Sequence, residues 1–219
     1  MTKASGGGGA IVRDSTDGDL EAIQAIYEHY VLRELSSFEE VAPDTAEMGR
    51  RRAEVVRRRL PYIVAEMDGA ARGFAYATPY RTRSAFRYMI EDSIYVAPDA
   101  LGHGLGHLLL HELIERCTAL GYRQMVAVIG DSANTASINL HGKCGFRPVG
   151  VLTSAGFKLG RWTDRTKRNH SHIANLIAFL NHQQTTQNIY KSLRPIPQPT
   201  ERPSSLDSYK RVVIFEELS

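Results

Sequence analysis

Gly102, Gly104 and Gly106 alternate through EDSIYVAPDALGHGLGHLLL, residues 91–110. They fall between a strand at residues 93–96 and a helix on which Leu105, Leu109 and Leu113 repeat at helical spacing. The first backbone N–H groups of a helix have no intrahelical partners, so a loop feeding a helix presents a cluster of donors that suits a phosphate. Glycine fits such a loop because a side chain would hold a diphosphate off the backbone, and because positive φ is often needed there. The glycines alone identify no ligand, since tight turns before helices use them too. What is missing excludes one phosphate chemistry and disfavours a second. No Gly-Lys-Ser/Thr follows, so a P-loop triphosphatase would lack its lysine and its magnesium hydroxyl. The spacing is also not the Gly-x-Gly-x-x-Gly of a dinucleotide fold, and no acidic residue follows at the needed distance in a second strand.

Titratable groups flank this loop. Glu91 reads either as a base beside a partly closed site or, like Asp92, as an acid at a strand end. His141 lies on an amphipathic helical pattern, where an imidazole either donates a proton near neutral pH or serves as a structural hydrogen-bonding residue. His103, His107 and His111 recur at i, i+4, i+8, the spacing of a metal edge. The first lies in the loop, however, and no Cys or acidic partner accompanies them, so no metal is expected.

The positioning elements follow from pattern. Residues 10–13 read as a strand, and Thr16 with Asp19 forms a capping box before a helix carrying Leu20, Ile23, Tyr27 and Tyr30. A second helix follows Pro43-Asp44 and runs to about residue 60, with Met48, Val55 and Val56 on its apolar side. Asp68-Gly69 joins strands 62–67 and 73–78 as a hairpin. A fifth strand at 124–129, a helix at 134–144 and a strand within 146–157 complete an α/β order.

Strand, x-x-Gly-x-Gly loop, long helix and second strand, followed by Asn134, Ser137, His141 and Gly145-Phe146, resemble the acetyl-CoA core of the GNAT N-acetyltransferase superfamily. YRTRSAFRYMIEDSIYV, VAVIGDSANTASINLHGKCGF and LTSAGFKLGRW resemble the phosphinothricin acetyltransferase subgroup, over about residues 10–164. The resemblance implies a GNAT fold, a mixed, mostly antiparallel sheet flanked by helices. It implies acetyl transfer from acetyl-CoA, without a metal, to the amine of a small amino-acid analogue such as phosphinothricin, methionine sulfone or methionine sulfoximine. Glu91 would be the general base and His141 would assist at the thioester. Ile94, Tyr95 and Val96 would pair with pantetheine like an added strand, joined by Asn134 and Ser137. Backbone groups of Leu101, Gly102, His103, Gly104, Leu105, Gly106 and His107 would take the diphosphate, Leu101 standing where the superfamily often has Gln or Arg. Phe38, Arg81, Arg83 and Phe86 would line the acceptor pocket, the arginines gripping oxyanions. Relatives of this kind often pair as homodimers.

Composition bounds the remainder. A chain of 219 residues is long enough for one sizeable core. Cys117 and Cys144 give no disulfide framework, and no signal peptide or membrane span is apparent, so a cytoplasmic protein is expected. A net charge of +3 is too small to imply nucleic acid by itself. RRRAEVVRRR nevertheless stacks Arg50 with Arg57 and Arg51 with Arg58, which keeps open an acetyltransferase directed at a protein or RNA-associated acceptor. A module that binds acetyl-CoA without turnover is the other alternative. Residues 1–9 read as a flexible glycine-rich leader and 10–164 as the acetyltransferase domain. All 18 glycines lie at or before Gly160, so residues 165–219 read as an atypical C-terminal extension. The sheet is then expected to lack its last strand or to borrow residues 211–218 for it.

Overall fold

A computed structural model describes residues 9–171. Four strands open the sheet as antiparallel neighbours: β1 (Ile11–Asp14), β2 (Tyr62–Met67), β3 (Ala70–Pro79) and β4 (Met89–Val96). The turn between β2 and β3 places Asp68 at φ 54° and Gly69 at φ 77°, the pair of positive values that a two-residue hairpin of this twist requires. β5 (Gln124–Gly130) then runs parallel to β4, and the hairpin of β6 (Arg147–Lys158) and β7 (Arg161–Ser171) closes the order as β1-β2-β3-β4-β5-β7-β6.

Helices cover both faces. Gly73 and Phe74 are successive on β3 and so point oppositely. Phe74 meets Tyr95, which meets Tyr27 and Tyr30 of α1 (Leu20–Arg33). A Cβ on Gly73 would instead touch Leu109 of α3 (Leu105–Ala119) at 3.0 Å. Helix α2 (Thr45–Arg57) packs beside α1, and α4 (Thr135–Lys143) lies with α3. Leu105, Leu109 and Leu113 are all buried, each contributing about 1.5–3 kcal/mol by leaving water. Asp19 accepts from the Thr16 N–H at 2.7 Å, as the capping box requires.

Three expectations change. Val56 is half exposed, because α2 ends at Arg57 and turns only Met48 and Val55 inward. The arginines of α2 are engaged with carboxylates: Arg50 and Arg51 with Glu47, Arg51 with Glu39, Arg52 with Asp17, Arg57 and Arg58 with Glu54. The domain boundary expected after Asp164 falls inside β7, which pairs with β5 from Arg165 opposite Gly130 to Ser171 opposite Gln124. The last strand is therefore present, formed by the start of the supposed extension. Asp164 itself ties the region together, accepting from Ser132 Oγ at 2.6 Å and from the Ser154 N–H at 2.9 Å. Residues 211–218 and most of the leader lie outside the described residues.

Candidate active site

β4 and β5 pair only from Met89 opposite Gln124 to Asp92 opposite Ala127. Beyond that point they separate, and a cavity of about 1020 Å³ occupies the wedge between Ser93–Val96 and Ala127–Gly130. β5 is held on its far side by β7 throughout. Its end is covered by the 35–38 segment: a Cβ on Gly130 would stand 2.3 Å from the Leu35 carbonyl oxygen. The inner backbone edge of Ile94, Tyr95 and Val96 thus faces a cavity instead of a strand. Tyr30 pins the tip of β4 to α1, its hydroxyl donating to the Val96 carbonyl at 2.7 Å.

At the wide end of the wedge, Gly102 and Gly104 adopt φ 81° and 78°, with Gly104 as the N-cap of α3. No acidic residue occupies the first turn of that helix, and the N–H groups of Leu105 and Gly106 have no acceptor among the described residues. Gly106 lets α4 approach, since a Cβ there would meet Leu140 at 3.1 Å. Leu101 and His107 also line the cavity, whereas His103 is turned back to the Leu101 carbonyl at 3.1 Å and is absent from the wall. His107 and His111 stack at 6.2 Å, and no metal-ligating cluster occurs among the described residues. Asn134 both lines the cavity and caps α4, its Oδ1 accepting from the Ser137 N–H at 3.1 Å. This combination of an unpaired strand edge and outward-facing N–H groups fits the amide arm and diphosphate of an acyl-CoA.

Glu91 sits where β4 and β5 part, paired to Val126, and its side chain points to the α1 face. Burial pushes its carboxyl above the ordinary range, against the pull of the nearby cations Arg165, Lys167 and Arg81. Phe38 lines the same cavity and packs directly over Gly156, where a Cβ would run into its ring. The segment bearing Phe38 is anchored by Lys158, which is buried and donates to the carbonyls of Ser37 at 2.6 Å, Glu34 at 2.7 Å and Tyr30 at 3.3 Å. Arg165 places its guanidinium 5.2 Å from the centre of the Phe38 ring and also lines the cavity.

Sequence reasoning missed Gly130, Gly156, Lys158 and Arg165, since their roles depend on how β7 pairs. The other acceptor candidates lie elsewhere. Arg81 packs over Tyr80 at 5.3 Å, Phe86 meets the edge of the same ring, and Arg83 precedes a 3-10 turn (Ser84–Phe86). None of the three is in the cavity wall, although the charge of Arg81 reaches Glu91.

His141 is also differently employed from the expected helper at a thioester. It is 2% exposed, with Nδ1 2.7 Å from the Ser137 carbonyl and Nε2 3.0 Å from Asp92 Oδ2. Both neighbours are acceptors, so both ring nitrogens serve best as N–H donors. Burial opposes the imidazolium, but the hydrogen bond and charge of Asp92 outweigh it and carry the pKa above the ordinary value. The ring contributes to the cavity wall while its nitrogens brace α4 against β4.

The model of the Acetyltransferase (GNAT) family matches residues 23–146, which spans the wedge, the glycine loop and Glu91. The chain belongs to the GNAT acetyltransferase family. Its GNAT relatives include a phosphinothricin N-acetyltransferase of Alcaligenes faecalis, 56% identical over 153 residues, covering 70% of this chain and 78% of the relative. An L-methionine sulfoximine/L-methionine sulfone acetyltransferase of Salmonella typhimurium is 37% identical over 158 residues, covering 71% and 90%. Among solved GNAT structures, a phosphinothricin acetyltransferase of Sinorhizobium meliloti in complex with acetyl-CoA superposes with a TM-score of 0.72 at 44% identity, covering 74% of this chain and 88% of that one. The chain is thus an N-acetyltransferase of the GNAT fold, built on the mixed sheet described above. No helix among the described residues is long and apolar enough to cross a membrane.

Proposed function

We propose that this GNAT enzyme passes the acetyl group of acetyl-CoA to the α-amine of a small amino-acid-like acceptor of the phosphinothricin, methionine sulfone or methionine sulfoximine type. The observation that carries this reading is a half-buried carboxylate, Glu91, with a raised pKa at the fork of two separating strands. Ile94–Val96 and the N–H groups of the glycine loop hold the cofactor, which supplies an activated acetyl thioester. Glu91 takes the ammonium proton directly or through one water, leaving a neutral amine that attacks the thioester carbonyl. The C–S bond then breaks, CoA departs as the thiolate, and the proton that the nitrogen loses as the amide forms reaches the sulfur through solvent. Asp92 and His141 keep α4 and its cavity-lining residues Asn134 and Ser137 in place. Phe38 floors the acceptor side, and Arg81, Arg83 and Phe86 stand on the loop leading to Glu91.

A homodimer accompanies this reading. β6 is the edge strand of the sheet, and Val151, Leu152, Phe157, Leu159 and Trp162 of the β6–β7 hairpin are at least half exposed. An apolar edge of that length calls for a partner, and a second copy satisfies it. We place the enzyme in the cytoplasm, which suits the two free thiols of Cys117 and Cys144. The test is Glu91→Gln, which should lower turnover by about a hundredfold or more while acetyl-CoA still raises the melting temperature. Unchanged turnover removes Glu91 from the mechanism.

A further inference from the structure

We infer that Arg165 is the residue that binds the acceptor's carboxylate, so that the enzyme selects zwitterionic amino acids over simple amines. This inference rests on the acetyl-transfer reading above and deepens it. Glu91, Val126 and Asn169 are register partners across β4, β5 and β7, and alternation then puts Lys167 and Arg165 on the same face as Glu91. Arg165 lies opposite Gly130, where the missing side chain leaves room for the 35–38 segment to reach the cavity. Its guanidinium lies 5.2 Å from the centre of the Phe38 ring, which rests on Gly156 and belongs to the segment that Lys158 anchors.

A guanidinium in cation–π contact with an aromatic ring spends no N–H donor on it, so the donors stay available for a carboxylate, which arginine can grip bidentately. Arg165 makes no hydrogen bond or ion pair among the described residues, while Arg13, Arg51, Arg52, Arg116 and Arg161 each hold a carboxylate. Among the cations that act on Glu91, Arg165 has the largest effect. One cavity therefore offers a carboxylate and a guanidinium on one face, the complement of an α-ammonium and an α-carboxylate on a single carbon. An amine without an anionic group would leave Arg165 unanswered.

The experiment compares methionine sulfone with its decarboxylated amine, using full-length wild type, Arg165→Gln and Arg165→Lys. Loss of a charge-assisted hydrogen-bonded contact should lower kcat/KM for the amino acid by about 10- to 100-fold in Arg165→Gln, and for the amine by less than about threefold. KM for acetyl-CoA should stay within about twofold. The acid limb of the pH profile should move to higher pH in Arg165→Gln, because Glu91 loses a stabilising cation, and return in Arg165→Lys. Equal losses on both acceptors, or no loss on the amino acid, would overturn the inference. Should the wild type acetylate neither compound, transfer itself is refuted. The inference then stands or falls on binding: methionine sulfone must raise the melting temperature of the CoA complex in wild type and fail to do so in Arg165→Gln.

Discussion

Replacing Lys158 by Met isolates the contact that holds the proposed acceptor side of the cavity. The ammonium is 3% exposed and donates to the Ser37 and Glu34 carbonyls at 2.6 and 2.7 Å, with a longer bond of 3.3 Å to Tyr30. Methionine keeps the length and apolar character of the stem but leaves these carbonyls without a donor. Each buried, unsatisfied group costs about 1–3 kcal/mol, so the two short bonds put the gross loss at about 2–6 kcal/mol. Relief of the buried charge offsets part of this, leaving about 3 kcal/mol. For a domain of this size that is a fall of about 10 °C in melting temperature. Because the Ser36–Phe38 segment is what Lys158 holds, the proposed site predicts that KM for the acceptor rises several-fold while KM for acetyl-CoA stays put. Thermal melts and steady-state kinetics with each substrate varied provide the readout. A variant as stable as wild type, or one whose acetyl-CoA KM rises while the acceptor's does not, would refute the reasoning.

Other perturbations test other parts of the structure. Gly104→Ala forces a side chain into φ 78° at the N-cap of α3, a cost of about 1–2 kcal/mol, and should weaken acetyl-CoA binding about tenfold in a titration without altering the acceptor's KM. Asp19 is held down to about 2 by its hydrogen bond to Arg13, and the gap from an ordinary aspartate is worth about 2 kcal/mol. Denaturant melts of Asp19→Asn should show that loss near neutral pH, and the difference from wild type should vanish as pH falls through about 2. His141 has the opposite sign. Its pKa is raised in the fold, so the stability it gains from Asp92 is complete below about 6.5 and is lost as pH rises through the folded value. Wild type should exceed Asp92→Asn in melting temperature at acid pH, and the gap should close toward alkaline pH.

What the sequence disclosed were features decided within a few residues. The Thr16–Asp19 box, the Asp68-Gly69 turn and the leucines of α3 all depend on neighbours less than a helical turn or two away. The positive φ of Gly102 and Gly104 before α3 was legible for the same reason. β7 was not, because the side chains it buries are Thr163, Thr166 and His170, so the strand lacks the apolar alternation that signals a half-buried element. The loss of glycine after Gly160 looked like a change of domain, yet a strand has no need of glycine. With β7 hidden, the four residues that shape the acceptor side were hidden as well. Gly130 and Gly156 matter for what passes over them, Lys158 for carbonyls more than a hundred positions away, and Arg165 for the face on which β7 presents it. For His141 the residues alone left a proton donor and a structural hydrogen-bonding residue open, because its contact is with Asp92 on β4, 49 positions away.

Acetyl transfer to an amino-acid analogue is best tested by measuring thiol release from acetyl-CoA by the full-length protein. The acceptors would be phosphinothricin, methionine sulfone, methionine sulfoximine and a set of ordinary amino acids. Release should depend on at least one of the three analogues and fall by about a hundredfold in Glu91→Gln. Absence of acceptor-dependent release from a protein that acetyl-CoA still stabilises would contradict it, and would leave a fold that binds the thioester without transferring its acetyl group.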